Sequence, residues 1–189
     1  MLDAPHMRPL SRHVERLRGK PGIVVPDLDP LDGGTAASLL FLLEKPGPMT
    51  ARNRPGARPG SGFVSRNNDD PTAEATDAFM RQAGIPRQAT MIWNVIPWWN
   101  GTIAVTPEEV RQGLRCVLPL VALLPRLRAV VLVGNRAARA APLLREGGYA
   151  VFGSAHPSPQ VRAAFPDRWR AIPDAWREAY EASVTAASP

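Results

Sequence analysis

The sequence predicts an α/β fold: a three-layer α/β/α arrangement around a central, mostly parallel four-stranded sheet. Two observations carry this expectation. Four short apolar runs, at 37–43, 90–96, 129–133 and 149–152, alternate with longer stretches of helical pattern. Strands separated by helices build βαβ units, whose sheets are parallel and whose crossovers are right-handed. Each run is also closed by Pro or Gly, as a short buried strand requires. At 189 residues the chain is expected to form a single domain.

The elements follow in order. Residues 1–36 read as a leading segment with little regular structure beyond one helix near Pro9 to Arg18. The run 37–43 (ASLLFLL) shows no alternation and exits into Glu44-Lys45-Pro46-Gly47-Pro48, which suits a strand buried on both faces. Residues Met49 to Arg66 form a Pro/Gly loop with Arg52, Arg54, Arg58 and Arg66 and no acid. A loop of this length is more often functional than idle. Asp70-Pro71, with Glu74 in the first turn, opens a helix that runs to about Ala83 and stops at Gly84. Thr90 to Ile96 is the second strand, followed by Pro97-Trp98-Trp99; the two tryptophans suit core packing and base stacking equally.

Thr106 and Glu109 make a capping box that starts a helix reaching toward Pro125, with Pro119 expected to kink or split it. Ala129 to Val133 is the third strand, and Gly134-Asn135 leads into a helix over Arg136 to Arg145. Gly147-Gly148 ends that helix. Tyr149 to Phe152 is the fourth strand, running into Gly153-Ser-Ala-His-Pro-Ser-Pro159, and a last helix lies near Pro173 to Ser183.

Composition narrows the function classes. Hydrophobic residues at 44% and charged residues at 21% are those of a soluble globular chain. No apolar run approaches the roughly 20 residues of a membrane span. Arg8, Arg12 and Arg16 are followed by no apolar stretch, so no secretory signal and a cytoplasmic location are expected. Cys116 is the only cysteine. It excludes an internal disulfide, a four-Cys zinc site and an iron–sulfur cluster held by this chain, and no metal or other cofactor is expected. No heptad run is present, so a monomer is expected. Lys plus Arg number 23 against 17 Asp plus Glu, a net charge of +6. With a pI near 10.6, this is the electrostatic footprint of a nucleic-acid binder.

In parallel sheets, ligands sit at the carboxyl ends of the strands. All four strands here end in chemically loaded residues: Glu44-Lys45-Pro46-Gly47, Asn94, Gly134-Asn135 and His156-Pro157-Ser158-Pro159. Core packing does not need polar side chains at four strand ends.

At these residues the sequence resembles the uracil-DNA glycosylase superfamily, over roughly Leu39 to Arg162. Leu43-Glu44-Lys45-Pro46-Gly47 is similar to the family's first motif, which places Glu44 as the water-activating group beside Pro46 and Gly47. Phe63 in Gly62-Phe63-Val64-Ser65 takes the position of the aromatic that stacks on the flipped base. Asn94 takes that of the base-edge reader. His156 to Pro159 match the His-Pro-Ser-Pro loop that wedges into DNA and stabilises the leaving base. Branches with a Glu-x-Pro-Gly motif often carry a four-Cys iron–sulfur cluster, which the lone Cys116 excludes, so the chain looks like a divergent branch.

The resemblance implies a metal-independent enzyme that flips uracil out of single- or double-stranded DNA and hydrolyses its N-glycosidic bond, with Glu44, Asn94 and His156 as catalytic residues. Ser158 would bind substrate, and Arg52, Arg54, Arg58, Arg66, Pro157, Ser158, Pro159 and Arg162 would meet DNA. The helix N-terminus at Ala137 would face a DNA phosphate. Ordinary structural roles stand beside each assignment: a backbone-satisfied strand end for Asn94, core for Phe63, a structural imidazole for His156, and a salt bridge to a neighbouring Arg for Glu44. Asp69, Asp70 and Asn67 are rivals for the water-activating role, with Asp70 better suited to a helix cap. Two other classes fit as well: a non-catalytic binder of DNA or damaged bases on the same fold, and a nucleotide hydrolase that shares only the His-Pro-Ser-Pro loop. The Arg-rich loop favours a DNA ligand over a free nucleotide.

Overall fold

The computed structural model describes residues 1–19, 22–52 and 58–185. Its centre is a four-stranded sheet made of β2 (Leu39–Leu43), β4 (Thr90–Asn94), β5 (Ala129–Val133) and β6 (Ala150–Ser154), in the order β4-β2-β5-β6. Every pairing is parallel. β4 and β5 are buried throughout and β2 nearly so, which is why their sequences carry continuous apolar runs rather than alternation.

Chain direction sets the layers. The connection from β2 to β4 runs through α2 (Pro71–Gln82), and that from β4 to β5 runs back through α3 (Pro107–Val121). Two right-handed crossovers in opposite directions place their helices on opposite faces. α4 (Ala141–Glu146) joins β5 to β6 in the same direction as α3. The last helix, α7 (Ile172–Thr185), packs with α2 over β2, β5 and β6. Aromatic rings cement that layer. Phe41 of β2 meets Trp176 of α7 edge to face at 4.8 Å, and Phe79 of α2 lies 6.0 Å from the same ring. The Trp176 indole donates to Ser154 Oγ at 2.9 Å, so the ring is buried without losing its hydrogen bond.

The caps expected from sequence are present. Asp70 accepts from the amides of Thr72 and Ala73, both at 3.0 Å. Thr106 and Glu109 form a reciprocal capping box. The leading segment holds α1 (Arg8–Leu17), as expected, and a two-residue strand, β1 (Asp27–Leu28), that pairs in parallel with β3 (Phe63–Val64).

Three expectations are corrected. α3 is not split at Pro119, which falls in its last turn, where little helix remains beyond the missing N–H. The helix also ends at Val121, short of Pro125. No α-helix spans Arg136 to Arg145: residues 137–140 form a 3-10 turn, and α4 begins only at Ala141, with Pro142 in its first turn. Arg136 offers no side-chain cap, and a turn this short presents no helix N-terminus to a phosphate. Two short helices unforeseen in the sequence, α5 (Pro159–Ala164) and α6 (Pro166–Arg170), follow β6.

Candidate active site

The register brings the strand ends together. Leu43 pairs with Asn94, so Glu44 leaves β2 beside the end of β4. Pairing continues past the strands: the amides of Val95 and Ile96 donate to the carbonyls of Leu43 and Glu44 at 2.8 and 2.9 Å. Over this rim lies a cavity of about 480 Å³. Its walls come from the exit of β2 (Lys45, Pro46, Gly47), from Ile92 and Asn94 of β4, from Asp70 and the first turns of α2, and from His156 and Pro159 beyond β6.

Asn94 is buried at 4% exposure on the cavity wall, and its carboxamide makes no hydrogen bond to the described residues. A buried amide without protein partners is costly unless a ligand or water completes it. The donor and the acceptor are both available to a molecule in the cavity.

His156 is half-buried, and its ring likewise has no hydrogen bond among the described residues. Burial pushes its pKa below 6.5, against the opposing pull of the Glu44 and Asp70 carboxylates, so the imidazole is neutral at pH 7. The loop is held closely. Ser158 N donates to the His156 carbonyl at 2.8 Å, and Gly134 turns with φ +88° where an added Cβ would lie 3.5 Å from that of His156.

Glu44 stands at the rim rather than on the cavity wall, ion-paired with Arg136. Lys45 is a brace. Its Nζ donates to Glu109 at 2.7 Å, to Asn100 at 2.7 Å and to the Ala104 carbonyl at 3.0 Å, which ties the Pro46–Gly47 turn to the loop after β4. Asp70 lines the cavity while capping α2.

Several sequence-based assignments change. Phe63 lies outside the cavity wall, with the Arg52 guanidinium 5.4 Å from its ring centroid; Val64 and Met49 line the cavity instead. Arg66 is not a surface phosphate contact. It is buried at 5% exposure on the cavity wall, with Nη2 donating to Thr90 Oγ1 at 2.5 Å and lying 3.4 Å from Asp32. Pro157 is buried, and Ser158 is occupied as the N-cap of α5, accepting from Val161 N at 3.4 Å. Trp98 is buried, and Trp99 bridges the backbone of Val24. Arg52, Arg58 and Arg162 are exposed, with Arg58 paired to Asp69; Arg54 lies outside the described residues.

Two features escaped sequence reading. Ile103 stands at the cavity mouth with 78% exposure. The signal was a short apolar stretch, Ile103-Ala104-Val105, inside a loop. Behind the cavity wall, Arg87 binds Asp29 at 2.6 Å, Asp32 at 3.0 Å and Asn67 at 3.1 Å, a buried ionic knot that also holds Arg66. Burial pushes the Asp32 pKa up to about 6 against the pull of Arg66 and Arg87, and pushes that of Arg66 down. Among the described residues, no group of three or more His, Cys, Asp or Glu side chains is placed to hold a metal ion, and no helix is long and apolar enough to cross a membrane.

Comparison with known proteins adds an independent line. The model of the Uracil DNA glycosylase superfamily matches residues 30–179. Among solved structures, the solution NMR structure of a candidate uracil DNA glycosylase from Methanosarcina acetivorans superposes with a TM-score of 0.53. It is 19% identical and covers 84% of this chain and 99% of its own. At that identity the likeness speaks for the fold. No curated protein sequence matches the chain.

Proposed function

Because the chain belongs to the uracil DNA glycosylase superfamily, we propose that it removes uracil from DNA, flipping the nucleotide into the cavity and hydrolysing the N-glycosidic bond to leave an abasic site. The observation that carries this reading is the unpartnered Asn94 carboxamide sharing one cavity with a neutral His156. A carboxamide matches the uracil edge, taking its N3–H and donating to a neighbouring carbonyl, whereas cytosine presents the opposite pattern. Extrusion costs a few kcal/mol, which contacts in the cavity must offset.

As the C1′–N1 bond opens, its electron pair leaves on the base and negative charge gathers on O2. The neutral His156 imidazole donates a hydrogen bond to it, a fixed dipole that needs no reorganisation. Glu44 at the rim orients water toward C1′ and stabilises the cationic sugar. The water oxygen bonds to C1′, one of its protons stays on the new hydroxyl, and the other neutralises the departing base.

The test is release of uracil from a labelled single-uracil oligonucleotide, single- and double-stranded, in EDTA, followed by alkaline cleavage at the abasic site. Cleavage is expected. The engagement of Glu44 by Arg136 favours a second reading, a non-catalytic binder of damaged DNA. Tight binding of the same DNA without base release would establish it.

A further inference from the structure

Ile103 is apolar and β-branched, yet it stands 78% exposed at the mouth of the cavity. Residues 101–104 around it are all exposed. A solitary exposed isoleucine needs no explanation by itself. Two further observations set this one apart.

The loop beneath it is stapled. The Lys45 side chain is only 4% exposed, and its Nζ donates at 3.0 Å to the carbonyl of Ala104, next in sequence to Ile103. The same nitrogen holds Asn100 before Ile103 and Glu109 after it, both at 2.7 Å. The amide of Ala104 donates to Thr102 Oγ1 at 3.1 Å, closing a turn around Ile103. Lys45 adjoins Pro46 and Gly47 of the cavity wall, so Ile103 and that wall are held as one unit. A β-branched side chain on such a loop has little freedom left to lose when it meets a partner.

The rest of the rim offers no equivalent. Pro157 is buried, Ser158 caps α5, Pro159 is fixed as the first residue of that helix, and Gln160 after it is polar. Among the described residues, no other leucine, isoleucine, valine, methionine or phenylalanine on the cavity wall is exposed. A nucleotide extruded into the cavity leaves a gap in the base stack, and closure of that gap competes with the flipped state. Apolar side chains inserted between base steps fill such gaps, and burial of their own surface offsets the unstacking.

We propose that Ile103 is the wedge for duplex DNA: as the nucleotide turns into the cavity, this side chain enters the stack at the vacated place and keeps it from reclosing. The inference rests on the base-excision reading above. Ile103 acts on the conformation of the DNA and not on the glycosidic bond, so it is a positioning residue. Its effect is tied to double strands, because a single strand has no paired stack to reclose.

The experiment measures single-turnover uracil release from one sequence, as a single strand and as a duplex, for wild type, Ile103→Ala, Ile103→Gln and Ile103→Leu. In parallel, the fluorescence of a 2-aminopurine next to the uracil reports unstacking when protein binds, whether or not base is released. Ile103→Ala and Ile103→Gln should lower the ratio of duplex to single-strand release at least tenfold and shrink the fluorescence rise on duplex. Ile103→Leu should restore both. A merely structural role would lower the two release rates together. Where uracil is released, the ratio decides: an unchanged ratio, or release confined to single strands, overturns the wedge and leaves the uracil reading standing. No release, with a fluorescence rise that Ile103→Ala abolishes, keeps the wedge and overturns hydrolysis. No release, with no rise or with a rise that the variants leave unchanged, overturns both.

Discussion

The Glu44 carboxylate is ion-paired with the guanidinium of Arg136, joining the exit of β2 to the turn after β5 across 92 residues of sequence. An exposed pair of this kind contributes little to stability. It holds the Glu44 carboxylate at the rim, beside the end of β4. Glu44→Gln should slow single-turnover uracil release tenfold or more with DNA affinity nearly unchanged, and Arg136→Ala should slow it less. Equal rates for Glu44→Gln and wild type would move the role to Asp70, which lines the cavity, rather than to Asp69 or Asn67, which are engaged by Arg58 and Arg87.

Asn94→Ala and His156→Ala should each lower the rate by two decades or more, the usual scale for losing one preorganised donor. Wild-type rates in both variants would remove the site from this cavity.

His156 should titrate below pH 6.5, because burial outweighs the pull of Glu44 and Asp70. The imidazole C–H resonance absent from a His156→Asn spectrum identifies it. A midpoint above 6.5 would mean that the imidazolium, not the neutral ring, faces the cavity.

Arg52 and Arg58 are exposed near the cavity, and phosphate contacts release counterions. Arg52→Ala and Arg58→Ala should each reduce the slope of log affinity against log salt on duplex DNA by roughly 0.9. An unchanged slope would leave this loop outside the footprint.

Asp32 holds its proton more tightly folded than unfolded, with its pKa raised to about 6 from 3.8 by burial. The stability this adds is fully present below pH 3.8 and is lost as pH rises through 6. Relative to Asp32→Asn, wild type should therefore weaken between pH 4 and 6, by on the order of 3 kcal/mol, and stay level above. Urea unfolding across that range measures it; a difference that grows with pH would reverse the assignment.

The sheet was legible because three of its four strands are buried apolar runs and all four have Pro or Gly near their ends, and the two principal helices announce themselves through Asp70 and Thr106. Asn94 and His156 were legible because a polar residue at the end of such a run has few structural reasons to be there. Arg66 was not. In sequence it is one more cation in a basic loop; only the folded chain brings Asp32 and Thr90 against it, and neither is near in sequence. The place of Phe63 off the cavity wall was not legible either: it sits in a two-residue pairing with β1, and such short pairings leave no periodicity to read. The 3-10 turn at 137–140 lacks the cap that would have distinguished it from a longer helix.

The placement of β2 has a consequence for hydrogen exchange. β2 lies between β4 and β5, so its backbone is paired on both sides, whereas β3 is two residues long and leans on a β1 of equal length. Amides at 40–42 should be among the last to exchange with deuterated solvent and those at 63–64 among the first, since opening free energies follow such differences in pairing and burial. The pairing of β1 with β3 is thus able to open and re-form many times for each opening of β2, so the exit of β2 keeps its position beside the end of β4 while the outer pairing moves.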